Sequence, residues 1–294
     1  MKTFIGIYLI CGAIWNFMKP LLRYIFYLFL FWLLLFFVIR SAFLISIISA
    51  VKDVTATQFI FASIAGWLLD LSTIAYLIAI PLLFIFLYFI FRKKWIARCS
   101  DFLLSFYIFL YVLVAVGELC LYQEWPTKLN VQALMHFAHP AEVFQSATLG
   151  LTILFFSLVI LFASFFLRLY NRRFSLLRSI PASETVSQKL RWIAAAFFIF
   201  MLALDVILIR GGLKEIPISE SDAYYSGNRM LNEAAVNPLW SLGHNAKEFF
   251  SHQKVNPYLA IPEAVADSTM NGLFHIDSDS TPVFLSVPKP NIVF

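Results

Sequence analysis

The sequence predicts an all-α membrane fold, a five-helix transmembrane bundle followed by an extracytoplasmic linker. Three observations carry that prediction. Hydrophobic residues make up 61% of the 294 and charged residues 13%, with 33 phenylalanines, whereas soluble domains run at roughly 45–50% apolar and about 25% charged. Five stretches are long and apolar enough to cross a hydrocarbon core, which takes about 20 helical residues. Lysine and arginine concentrate in alternate connections, as they do in a chain threaded back and forth through a bilayer.

Residues 4–15 form an apolar run too short to span and closer to a signal-peptide core, with no small-residue cleavage site before Met18. Residues 1–17 are therefore expected to be an interfacial stub or an overextended gene start, with MKPLLRYIF from Met18 as the opening of the bundle. The transmembrane domain is expected over 18–210, with spans at 24–45, 66–91, 102–122, 147–167 and 192–209. Pro81 in the second span predicts a kink rather than a gate.

Orientation follows from the positive residues, which stay cytoplasmic in short loops. Lys19 and Arg23 precede the first span. Arg92, Lys93, Lys94 and Arg98 fill the second connection, and Arg168, Arg172, Arg173, Arg178, Lys189 and Arg191 fill the fourth. The other two connections offer mainly Lys52 and Lys128. The N-terminus is expected inside and the C-terminal segment outside. From Gly211 onward that segment carries five cationic side chains against nine acidic ones, so the formal charge of +5 belongs to the cytoplasmic connections and predicts no nucleic-acid partner. Its recurrent prolines, Pro217 to Pro290, read as a linker over 211–286.

Ionisable residues inside spans are costly and draw a functional reading first. Arg40, Asp70 and Asp205 are the candidates. All three lie near the outer ends of their helices, which favours interface or ion-pair duty over a substrate-facing role. Proton-relay transporters would place several carboxylates at mid-membrane, and five spans without an internal repeat do not suggest a transporter.

The outer connection, 117–147, is the richest. Glu118, Glu124, Trp125, Lys128, His136 and His139 are the candidate lipid or interface contacts. Val131, Leu134, Met135 and Phe137 recur at helical spacing, predicting an interfacial amphipathic helix that Pro140 interrupts. His136, His139 and Glu142 have a metal-like spacing, but the proline breaks the turn between the last two, and polar decoration of an interface is the favoured reading. Cys11, Cys99 and Cys120 have no CxxC spacing, so no disulfide framework or zinc site is expected. No GxSxG, phosphate loop or HExxH is present, and His244, His252 and His275 match no common site.

RGGLKEIPISESDAYYSGNRMLNEAAVNPLWSL, 210–242, resembles the segment that joins membrane and extracytoplasmic domains in the lipoteichoic acid synthase-like family, the membrane-anchored sulfatase-fold phosphoglycerol transferases of the alkaline phosphatase superfamily. GWLLDLSTIAYLIAIPLL from Gly66, with Asp70 and Tyr76, is similar to that family's second helix, and GELCLYQEWPTKLNVQAL from Gly117 to its outer connection. The resemblance covers nearly the whole chain from Met18, and five helices with an outside C-terminus is the family topology. It implies that residues 287–294, VPKPNIVF, begin the first strand of a sulfatase-like α/β domain. It also implies that the metal-binding glutamate, the threonine nucleophile and a divalent metal of the Mn or Mg type belong to the part of that domain beyond Phe294. No catalytic, cofactor-binding or metal-binding residue is then expected in this chain. Its expected role is that of a membrane-anchoring module in the bacterial plasma membrane, with the phospholipid bilayer and a lipid head group as partners. The alternative is a non-catalytic membrane-embedded binding or assembly protein, or a truncated remnant.

Overall fold

The computed structural model describes residues 2–51, 55–129, 148–180, 188–252 and 262–273. Helix α1 is Lys2–Ile47, α2 Ala56–Ala65, α3 Trp67–Phe91 and α4 Lys94–Glu124. Helix α5, Leu149–Leu169, runs through a π-helical turn, Tyr170–Phe174, into the short α6, Leu176–Ser179. Helix α7 is Gln188–Arg210, followed by a 3-10 turn at Glu220–Ala223, then α8 Arg229–Ala235, α9 Pro238–His252 and α10 Glu263–Leu273. The chain divides into two units, Met1–Ala246 and Lys247–Phe294. The second contributes the end of α9 and helix α10 to the described residues.

Among the described residues five helices are long and apolar enough to cross a membrane: Ile14–Ile47, Trp67–Phe91, Lys94–Tyr122, Leu149–Ser179 and Leu190–Arg210. These match the five spans expected from the sequence, several of them running longer at their ends. Helix α1 is continuous from Lys2, through Pro20, to Ile47, with no break between residues 17 and 18. Helix α3 likewise continues through Pro81. The expected amphipathic helix after Leu129, with His136, His139 and Glu142, and the expected strand at 287–294 lie outside the described residues.

Packing ranks the five helices. In the most apolar window of each, 50%, 56% and 44% of residues are buried in α1, α3 and α4, against 17% and 11% in the fourth and fifth spans. Helices α1, α3 and α4 therefore form the centre, with α5 packed on α4 and α7 on α3. The core is aromatic. Trp32 and Phe36 of α1 meet Tyr111 of α4 at 6.4 and 4.5 Å between ring centroids, and Phe31 meets Phe166 and Tyr170 at 6.2 and 5.8 Å. Outward-facing Phe156, Ile160, Phe165, Ile199 and Phe200 are exposed, a surface that suits lipid rather than water.

Lys19, Arg23, Arg92 and Arg173 gather at one end of the bundle. Phe17 of α1 packs on Phe89 of α3 at 4.5 Å, three residues before Arg92, and Lys19 and Arg23 line one groove with Arg173. Along α1, Lys19 and Arg40 are about 32 Å apart at 1.5 Å per residue, one hydrocarbon thickness. The residues between Arg23 and Arg40 are all uncharged and apolar or aromatic. Polar bands thus sit at the Lys19 end and at the Arg40 end.

The segment expected as a plain linker is, from Ile218 to Leu242, part of the packed unit. Ala223, Leu231, Ala234, Ala235, Val236, Trp240 and Leu242 are all buried, and α8 lies on α1 and α2. Helix α2 itself was not expected, because a stretch of ten residues is too short to span. It forms beside the larger helices, with the Thr55 N–H donating to Gln58 Oε1 at 3.1 Å across its first turn.

Candidate functional site

At the Arg40 end, the C-terminal turn of α8 descends onto the helix ends and is held by two cations. A helix end leaves carbonyls without intrahelical donors and carries partial negative charge. Arg40 donates from Nε to the Ala234 carbonyl at 3.2 Å and from one terminal nitrogen to the Ala235 carbonyl at 3.1 Å. Lys128 donates from Nζ to the carbonyls of Glu233 and Val236, each at 3.0 Å.

Each cation brings its own carboxylate. Arg40 forms a two-pronged pair with Asp70, at 2.6 and 2.7 Å, the planar fork that matches a carboxylate. Asp70 belongs to the first turn of α3, where a negative charge is favoured by the helix dipole. Lys128 pairs with Glu118 at 2.7 Å. Both pairs are at least nine-tenths buried, so the geometry has to offset the cost of removing four charges from water. The carbonyl contacts and the next shell of donors do that.

Asn237 supplies the most informative of those donors. It is fully buried. Its Nδ2 donates to Asp70 at 2.9 Å, while its Oδ1 accepts from the N–H groups of Leu239 and Trp240 at 3.1 and 3.4 Å. It is thus the N-cap of α9, with Pro238 at the first helical position, where a missing N–H costs nothing. Trp240 Nε1 donates to Ser72 Oγ at 3.3 Å, and Ser72 donates to the Ile209 carbonyl of α7 at 2.8 Å. Tyr122 donates to Glu233 at 2.5 Å, and Arg229 to the same carboxylate at 2.7 Å. Burial alone pushes the Tyr225 phenol up to about 12, and it donates to the Gln58 carbonyl of α2 at 2.7 Å.

Close approach explains Gly66. A Cβ there would stand 2.0 Å from the Ala235 carbonyl oxygen and 2.7 Å from the Arg40 guanidinium, so any side chain would push α8 out of the clamp. A small cavity of about 20 Å3 remains beside Arg40, Tyr111, Ala115 and Glu118, room for about one water molecule. Glu118 Oε2 is buried without a hydrogen-bond partner among the described residues.

Of the contacts expected from the sequence, Glu118 and Lys128 are brought together as a buried pair. Glu124 and Trp125 are exposed and stand outside the network. His136 and His139 are outside the described residues. Arg40 and Asp70 pair, as the ion-pair reading of these residues allowed. Asp205 is buried on α7 with one oxygen unpartnered among the described residues. His244 stacks on Trp240 at 4.8 Å between centroids. Sequence reasoning gave no part in such a network to Gly66, Ser72, Tyr122, Glu233 or Asn237. Only Asn237 had a local signal, an Asn-Pro pair opening an apolar run.

Among the described residues no three His, Cys, Asp or Glu side chains converge as a metal-ligand set. Chemically the arrangement is a clamp, in which cations from α1 and the segment after α4 hold the end of α8. No protein-family model, curated protein or solved structure matches the chain.

Proposed function

We propose that this chain is the membrane-anchoring module of a phosphoglycerol or related head-group transferase of the lipoteichoic acid synthase-like, sulfatase-fold type. In this reading the Lys19 end faces the cytoplasm and the Arg40 end the outside of a bacterial cell. The metal-dependent chemistry, with its threonine nucleophile, is carried by a domain beyond residue 294. The chain's own part is to span the membrane and hold the segment that leads to that domain at a fixed place on the outer surface.

The observation that carries the proposal is the clamp. Residues that follow the fifth span are held through their carbonyls by the cations of two buried ion pairs, Arg40 of α1 and Lys128 after α4, and bond back to α3 through Asn237 and Trp240. A flexible tether would need none of these. An anchor that sets the height of an active site over its lipid substrate gains from every one, because positioning alone supplies a large part of catalysis. The gathering of basic residues at the opposite end supports the orientation.

The test uses the protein extended by the reading frame that follows codon 294, reconstituted into phosphatidylglycerol vesicles with Mn2+ or Mg2+. Labelled glycerol phosphate should move to an acceptor or to water, and residues 1–294 alone should give no turnover. Turnover by residues 1–294 alone would overturn the reading. A following sequence without a glutamate-bearing strand and a threonine nucleophile would turn the assignment to a non-catalytic assembly protein.

A further inference from the structure

We propose that the groove at the Lys19 end of the bundle binds the phosphate of an anionic membrane phospholipid. The inference rests on the membrane-spanning reading of the helices and not on the transferase. The groove has a volume of about 440 Å3 and is lined by Lys19, Arg23, Tyr27, Arg173, Phe174 and Ser179 among others, with no carboxylate in its wall among the described residues.

No ion-pair partner among the described residues meets that charge, and Arg23 lies over the Tyr27 ring at 5.5 Å. Lys19 and Arg23 lie one turn apart on the same face of α1, where like charges repel. Neither they nor Arg173 forms an ion pair among the described residues, whereas Arg40, Lys128, Lys214 and Arg229 each do. One nearby carboxylate, Asp101, makes its hydrogen bonds outside the groove. It accepts from the Tyr170 hydroxyl at 2.7 Å, the Ser175 hydroxyl at 3.0 Å and the Leu176 N–H at 2.8 Å. Those bonds fix both ends of the π-helical turn that carries Arg173, and such turns often mark functional sites.

The surroundings select a lipid phosphate over a free one. Lys19 and Arg23 in its wall lie about 32 and about 26 Å along α1 from the polar band at Arg40, at head-group depth for a bilayer-spanning bundle. Tyr24 and Tyr27 give it the aromatic lining of a membrane interface. Next along α1, Phe26 and Leu30 are exposed, 60% and 44%, offering acyl chains an apolar path beside the head group. Basic pockets between transmembrane helices hold anionic head groups in this way.

The full chain, purified in detergent, is compared with the triple variant K19Q/R23Q/R173Q. Each is titrated with short-chain phosphatidylglycerol, phosphatidylcholine and inorganic phosphate, read by thermal unfolding and by retained lipid in native mass spectrometry. Phosphatidylglycerol should raise the melting temperature of the wild type and remain bound through desolvation, while phosphatidylcholine and phosphate do neither. The triple variant should hold phosphatidylglycerol about a hundredfold more weakly. The charge-preserving variant K19R/R23K/R173K should keep most of the binding, and the single R173Q serves if the triple variant fails to fold. Equal protection by phosphatidylcholine, equal protection by free phosphate, or undiminished phosphatidylglycerol binding after charge removal would each overturn the proposal.

Discussion

At the scale of single residues, the clamp at the Arg40 end makes sharp demands. Removing one member of a buried ion pair strands the other, at about 3–5 kcal/mol, whereas removing both for apolar groups is far milder. Arg40→Met and Asp70→Asn should therefore each lower the melting temperature in detergent strongly, and the double variant R40M/D70L less than either. Asn237→Asp keeps an equally good N-cap but replaces the amide that donates to Asp70 with a second carboxylate. A loss of about 1–3 kcal/mol is expected, and its abolition in an Asp70→Asn background would show that the two side chains meet. Gly66→Ala should cost stability as well, because its Cβ would fall on the Ala235 carbonyl. None of these partners could be read from the sequence. Glu118 and Lys128 were recognisable as candidates, but as separate interface contacts rather than as a pair.

At the scale of elements, the exit from the bundle is set by Arg210-Gly211-Gly212. The Gly212 N–H reaches back to the Ile207 carbonyl at 2.9 Å and the Gly211 N–H to Leu208 at 3.0 Å, the pair of bonds that closes a Schellman motif. Gly211 has φ +82°, and a Cβ there would meet the Ile218 side chain at 2.4 Å. Gly211→Ala should thus cost about 1–2 kcal/mol for the left-handed backbone and more for the clash, read as a lower melting temperature. The following 3-10 turn is held by Asp222, which accepts from the Ser219 N–H at 2.9 Å and pairs with Lys214 at 3.2 Å. The Ser219 backbone bond first, and Lys214 next, hold the Asp222 carboxyl below its usual range. A depressed folded-state value means the contribution is complete above the ordinary carboxylate range and lost as pH falls through the lowered one. The stability difference between wild type and Asp222→Asn should be present at neutral pH and vanish in strong acid. It should be small, because the pair is exposed.

For the whole molecule, the clamp makes the segment after the fifth span part of the membrane unit. A chain ending at Gly212 should unfold at a lower temperature than one ending at Ala246, since Arg40 and Lys128 would lose their carbonyl partners on and just after α8. Sidedness can be read in sealed vesicles. The exposed native Cys99 and an introduced Trp125→Cys lie at opposite ends of α4 and should react with a membrane-impermeant thiol reagent from opposite sides. Labelling of both from one side would refute the five-span arrangement. The sequence by itself determined the number and approximate extent of the spans, because crossing a hydrocarbon core is a local requirement on length and hydropathy. It also marked which connections carry positive charge. Only the tertiary structure decided that α1, α3 and α4 form the centre and that the supposed linker is clamped. Arg40 meets Asp70 across 30 residues and Ala234 across 194. Contacts that distant leave no periodic trace in the chain, since they depend on where three helix ends come together in space.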